Sequence, residues 1–252
     1  MIVHNRCLSR IIVITFVFML SSCDRASDVV QHGSLSYNVS SVFAGDARAL
    51  SLARAAGHGR VDEVKRLVQN GPSVDVVGKE EITPLWWALW AGNFEGFLAL
   101  LQVGASPNVS RQAGLPVMHL AANNPDSRFL EAALRFGGNP DELDIVAKTT
   151  PLYRAVRGGL SGNTKLLLDS GANVNAVEPY SERTMPMIAI TAATDFKLAY
   201  EMIQRGADVT KRTKNGDTLV DIVAFVKLTP GNEQERWREK IIEYLKEQRK
   251  TE

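Results

Sequence analysis

The stretch Thr83-Pro84-Leu85-Trp86-Trp87-Ala88-Leu89-Trp90, followed by Phe94, Phe97, Leu98 and Leu101 and closed by Gly104-Ala105, decides the fold. Proline costs nothing at the first position of a helix, because the N–H it lacks has no intrahelical partner there, and Thr83 just ahead can cap. Phe94, Phe97, Leu98 and Leu101 recur at helical spacing and predict a second helix. That helix stops at Gly104, where a left-handed residue satisfies its last carbonyls. Two short helices joined by a turn cannot bury their apolar faces alone. They need neighbours of the same kind.

The sequence supplies them. Gly71-Pro72, Gly104-Ala105, Gly137-Gly138, Gly171-Ala172 and Gly206-Ala207 recur at spacings of 33, 33, 34 and 35 residues. Nineteen residues ahead of each glycine stands a large apolar residue, Leu52, Leu85, Met118, Leu152 and Met187, and Val220 extends the series. A constant period of this length means one supersecondary unit repeated. The pattern resembles the ankyrin repeat. Thr83-Pro84-Leu85 and Thr150-Pro151-Leu152 match the Thr-Pro-Leu that opens the first helix of an ankyrin unit, and Met118-His119-Leu120-Ala121-Ala122 matches the rest of that helix. Ala55-Ala56 and Ala88 stand where the two helices approach closely, and Asp75, Asn108, Asp141 and Asn175 occupy the turn after each glycine pair.

The resemblance implies an all-α ankyrin solenoid over residues 45–250, about six helix-turn-helix units with atypical ends. Three units depart from the pattern. Pro116-Val117-Met118 replaces Thr-Pro-Leu, and Pro125 replaces the mid-hairpin glycine. The fifth unit has Met185-Pro186-Met187, with Ile190 and Thr191 at the paired-alanine positions. The sixth ends in a charged helix, Glu233–Gln248, with Trp237, Ile241, Tyr244 and Leu245 expected to face inward.

The N-terminus carries a different message. Arg6 and Arg10 precede an apolar run from Ile11 to Leu20, and Ser21-Ser22-Cys23 follows. This is the layout of a secretory signal. The run is about half of the ~20 residues needed to span a bilayer. Leu20-Ser21-Ser22-Cys23 resembles the lipobox of bacterial lipoproteins, which implies a signal peptide at 1–22, a lipidated Cys23 and a polar tether through residue 44. An uncleaved short anchor, or a plain signal with an incidental cysteine, stays open. Asp24 resembles an inner-membrane retention signal, with the outer membrane as the alternative.

Composition excludes several classes. Twenty-nine basic against 28 acidic residues leave a formal net charge of +1, without the basic excess of a nucleic-acid binder. Cleavage ahead of Cys23 would remove Arg6 and Arg10 and no acid, changing +1 to −1. Two cysteines, Cys7 and Cys23, cannot build a disulfide scaffold or a cysteine-rich zinc module. No Gly-x-Ser-x-Gly, Walker A or His-Glu-x-x-His sequence is present. Gly57-His58-Gly59 reads as an inter-helix turn, and the acidic run Asp141, Glu142 and Asp144 as a solvated loop. In the family His119 is structural, bonding backbone in the adjoining loop. The expectation is therefore no catalytic residue, no cofactor, no metal and no small-molecule substrate.

The family's concave side and inter-unit fingers imply where a protein partner sits. Carried over, they pick out Trp86 and Trp90, with Trp87 in the core, and then Asn123, Asn124, Tyr153, Arg154 and Arg157. The alternative is that all three tryptophans pack between repeats. The fingers contribute Lys79, Glu80, Ile82, Gln112, Leu115, Tyr180 and Arg183. An ankyrin stack with a lipobox resembles the immunity lipoproteins paired with phospholipase effectors of the type VI secretion system. That likeness implies a periplasm-facing protein that occludes a cognate lipase-type toxin. A general envelope scaffold, organising or protecting a periplasmic enzyme, is the other reading.

Overall fold

Thr83 and Thr150 cap as their sequence context demands. In a computed structural model, which describes residues 28–32, 35–69, 71, 73–109 and 115–248, the hydroxyl of Thr83 accepts the Trp86 N–H at 3.2 Å and that of Thr150 accepts the Tyr153 N–H at 3.2 Å. Cys23, Gln112 and the whole of residues 1–22 lie outside the described residues. Thr218 does the same through a reciprocal capping box with Asp221. Pro116 offers no side-chain cap, and Thr184 has cap geometry without the bond.

These caps open the first helices α4 (Pro84–Trp90), α6 (Val117–Ala122), α8 (Pro151–Arg157), α10 (Met185–Ala193) and α12 (Leu219–Phe225). In the first unit α2 (Ala47–Gly57), capped by Asp46, takes that place. Each is followed by a second helix: α3 (Val61–Gln69), α5 (Phe94–Gln102), α7 (Ser127–Arg135), α9 (Ser161–Asp169), α11 (Phe196–Gln204) and α13 (Glu233–Gln248). First helices pack in sequence from α2 to α12, and α3, α5, α7 and α9 form a second row. The mostly helical chain is an all-α ankyrin-type solenoid with one continuous core from Val39 to Leu245. Glycine sets the closest approach. A Cβ at Gly96 would stand 1.8 Å from the carbonyl oxygen of Ala56, so α5 can seat on α2 only because that atom is missing.

The turns are tied to one another. Asp75 accepts the Ser106 N–H at 2.9 Å, Asn108 that of Asn139 at 2.7 Å, Asp141 that of Asn173 at 2.8 Å and Asn175 that of Asp208 at 2.7 Å. One side chain per unit therefore fixes the next unit's turn by satisfying a backbone N–H there.

Two expectations need correction. In the fifth unit, Asp195 N–H reaches back to the Ala189 carbonyl, where Asn93 N–H in the second unit reaches Ala88. The hairpin has one extra residue, taken up by a left-handed Thr194 at φ 53°. Pro186, two residues after its cap, thus holds the place of Leu85, and Ala189 the place of Ala88, so Met187, Ile190 and Thr191 each sit one register later than the spacing suggests. The tether is the second. β1 (Val29–His32) and β2 (Leu35–Asn38) form an antiparallel hairpin that runs into α1 (Val39–Val42). Val39, Val42 and Phe43, spaced as one helical face, are buried and close the open end of the first unit. The folded body therefore begins no later than Asp28, whose carboxylate lies 2.6 Å from the Arg54 guanidinium. At the other end Ile241 and Leu245 are buried as expected, while Trp237 and Tyr244 are half-buried.

Candidate partner-binding site

Four fingers among the described residues are hairpin loops closed by a backbone bond at the base. Gly78 N–H donates to the Ile82 carbonyl at 2.8 Å, Asp144 to Thr149 at 3.0 Å, Glu178 to Arg183 at 3.0 Å and Thr213 to Asp217 at 2.9 Å. Two of these bases hold a buried acid. The Asp144 carboxylate accepts from the Thr149 hydroxyl at 2.6 Å and the Ala147 N–H at 2.5 Å, and the Arg154 guanidinium stands 3.4 Å away. Burial pushes this carboxyl up, but those partners outweigh it and hold it below the usual carboxylate range. Glu178 behaves alike, with burial opposed by the Ser181 hydroxyl and the Tyr180 and Ser181 N–H groups. Beneath the 144–149 finger, His119 is fully buried with Nε2 2.8 Å from the Thr149 carbonyl oxygen. Burial lowers its pKa to about 4, so it is neutral and structural. Glu142 is lifted to about 7 by burial, one of its carboxyl oxygens having no hydrogen-bond partner.

With the polar skeleton turned inward, the tips face out. Leu143 (54% exposed), Ile145 and Val146 (68%) crown one finger, and Tyr180 (68%) crowns the next. Phe225, seven residues past its cap and so in the register of Trp90, is 84% exposed. Leu143, Ile145 and Val146 are not among the residues expected from the sequence to make contacts, because Asp141, Glu142 and Asp144 make that segment look like a solvated acidic loop; Phe225 is a further exposed apolar residue that the sequence reading does not single out. The alternation of Leu143 and Ile145 with Asp144 was the available signal.

The structure distributes the expected residues unevenly. Lys79, Glu80, Arg157 and Tyr180 are exposed, and Asn123, Leu115, Tyr153, Arg154 and Arg183 are half-buried. Trp86 and Trp90, expected open on the concave side, are only 4% and 8% exposed. They stack at 5.0 Å between centroids, Tyr37 meets both edge-on at 5.6 Å, and Trp86 Nε1 donates to the Leu115 carbonyl at 2.9 Å. The N-terminal hairpin covers them. Ile82 is also buried, because the residue that closes its finger lies directly before the Thr83 cap and points into the core. Asn124 is buried too, its side chain accepting the Asp126 N–H at 2.9 Å and its carbonyl the Asn163 amide at 2.7 Å, which rigidifies the hairpin that Pro125 occupies. Trp87 is core, as expected.

A family profile described as ankyrin repeats in many copies matches residues 52–101, and a single-repeat ankyrin profile matches 148–178. The chain carries ankyrin repeats. It is similar to a palmitoyltransferase, ZDHHC13, of Danio rerio, at 29% identity over 68% of this chain and 27% of that protein. It is also similar to the nuclear factor NF-kappa-B p105 subunit of Gallus gallus, at 29% identity over 58% of this chain and 15% of the relative. A third is the human transient receptor potential cation channel subfamily A member 1, at 33% identity over 49% and 12%. The chain thus spans about a quarter or less of the length of these relatives. Among the described residues, no helix is long and apolar enough to cross a membrane.

Proposed function

We propose that the protein is a lipid-anchored, periplasm-facing ankyrin solenoid that neutralises a cognate lipase-type toxin, of the kind delivered by type VI secretion, by covering the mouth of its active site. Ankyrin repeats support the coarser half of this reading, since stacked repeats use an extended surface to hold proteins. The observation that carries it is the apolar finger edge: Leu143, Ile145, Val146 and Tyr180 stand in water, set among Asp141, Lys148, Glu182 and Arg183. Exposed apolar fingertips with charges of both signs beside them in the sequence suit a protein interface. The lipobox-like Leu20-Ser21-Ser22-Cys23 supplies the address, and Asp24 favours the inner membrane.

Binding, and not catalysis, is the role we assign. His119 is buried with its Nε2 engaged by Thr149, out of reach of any substrate. The activity named for the palmitoyltransferases is not carried over, because the chain spans only 27% of their length. The reading predicts a gene for a secreted lipase beside this one, and the test is co-expression with that gene's product. Growth should be restored and the two proteins should co-purify. Continued toxicity without complex formation defeats the immunity role, and lipid hydrolysis by the purified chain defeats the non-catalytic one. Changing Cys23→Ser should move the protein from the membrane to the soluble fraction, whereas unchanged fractionation defeats the anchor.

A further inference from the structure

The burial of Trp90 is not imposed by the repeat. In the same register, seven residues past each cap, Arg157 and Phe225 reach solvent and Asn123 is half-buried. Tyr37, arriving from outside the stack, packs on both indoles of the second unit. Its ring lies at 80° to Trp86 and 85° to Trp90, and those two indoles are within 16° of parallel. Edge-on contact with two stacked indoles is a favourable aromatic arrangement. The element that delivers the ring is weak. Among the described residues β1 and β2 pair only with each other, over four residue pairs, and a lone two-stranded hairpin is marginal in water. Tyr37 itself remains half-exposed, so the cleft it fills can be reached from solvent. Among the described residues the hairpin is also tied by the Asp28–Arg54 ion pair, by the His58 ring 3.7 Å from the Asp28 carboxylate, and by the Val39 N–H bonded to the Asp28 carbonyl at 2.9 Å.

We propose that Trp86 and Trp90 form an aromatic-accepting cleft, filled in cis by Tyr37 and in trans by an aromatic side chain on an extended segment of the protein partner, with the β1–β2 hairpin as its removable cover. The protein-binding reading above supplies only the identity of the trans occupant. The cis occupant displays the chemistry the cleft selects: a flat ring offered from an extended strand, with the Trp86 N–H committed to the Leu115 carbonyl. A tethered ring competes at an effective concentration of roughly millimolar, so only a partner with further contacts displaces it. Those contacts are available at the fingers.

The cleft is tested without the partner, in the full-length chain carrying Trp237→Phe so that tryptophan fluorescence reports the second unit. Tyr37→Ala should raise acrylamide quenching by about two-fold while leaving helical circular dichroism intact, and p-cresol should reverse the rise saturably with Kd on the order of 1–10 mM. Tyr37→Phe should behave as the parent. Unchanged quenching in Tyr37→Ala, or p-cresol acting equally on Tyr37→Ala and parent, overturns the proposal. Asp28→Asn, which leaves the ring in place and removes the ion pair with Arg54, should raise quenching by a smaller factor. If Tyr37→Ala loses its helicity or Asp28→Asn changes nothing, the hairpin is an integral cap and the idea fails. A positive result with p-cresol alongside failed lipase protection would leave the cleft standing and the immunity reading defeated.

Discussion

The second repeat and the last three present opposite surfaces. In the second, two tryptophans at contact positions are sealed under Tyr37. In the later ones, Leu143, Val146, Tyr180 and Phe225 project into water with nothing described above them. The repeat fixes where a side chain points, and whatever lies outside the repeat fixes whether it is exposed. Tryptophan at a contact register thus serves as core at one end of the stack, while aliphatic fingertips carry the open surface at the other. The covered end spends its aromatic surface on stability, and the open end holds it in reserve for association.

The sharpest way to break this contrast is truncation at the covered end. Trp90→Ala should cost about 3 kcal/mol of folding stability, because it removes a buried indole from a stack with Trp86 and Tyr37. Thermal unfolding should fall by about 10 °C for a domain of this size. A melting temperature within a degree or two of the parent would show that the hairpin contributes no burial.

The open end has a buried polar skeleton, and its signature is pH. His119 holds its proton only below about 4 in the folded state, against 6.5 when unfolded, so the unfolded chain binds more protons between those values. Stability present above pH 6.5 is lost as pH falls toward 4, by up to about 3 kcal/mol. Glu142, raised to about 7, works in the opposite direction and removes stability as pH climbs through 4.5 to 7. The parent should therefore show a muted slope, and Glu142→Gln a steeper rise between pH 4.5 and 6.5. Urea midpoints at four pH values read this directly, and a flatter curve for Glu142→Gln contradicts the assignment.

How far the sequence reaches can be told residue by residue. The period, the threonine caps, the burial of Trp87 and the backbone contact of His119 were all legible, because each is local or fixed by the repeat. The fifth unit's register was not, since Pro186 and Met187 are both plausible anchors and only the Asp195–Ala189 bond shows the added residue. Covering of Trp86 and Trp90 depends on a ring about fifty residues earlier, in text whose Asp, Ser, Gly and Asn resemble a tether. Asp144 reads as solvated because its counter-charge, Arg154, is ten residues on and across a finger. A one-residue difference inside a turn decided the first of these, and contacts further away along the chain decided the other two.

At the open end the expected loss is in association and not in folding. Leu143→Ser combined with Val146→Ser should weaken capture of the partner by at least about ten-fold, while stability stays within about 0.5 kcal/mol. A pair that binds unchanged moves the interface off this finger. Equal losses in binding and stability would show that the tips pack against something in the free protein, which would make the two ends of the stack alike.

The smallest effect concerns how the fingers hold their shape. Glu81, Lys148, Glu182 and Gly216, each two residues ahead of a helix cap, all have positive φ: 58°, 54°, 57° and 89°. Only the last is glycine. A left-handed residue with a Cβ costs about 1 kcal/mol, and glycine at the same place relieves it while adding some unfolded-state entropy. Lys148→Gly should therefore stabilise by about 0.5 kcal/mol in equilibrium unfolding. The same change at Lys165, on the exposed side of α9, should destabilise by about 1 kcal/mol, since there glycine only loosens a helix. If both substitutions destabilise alike, the left-handed finger residue is unstrained, and the open edge owes its geometry to the buried acids alone.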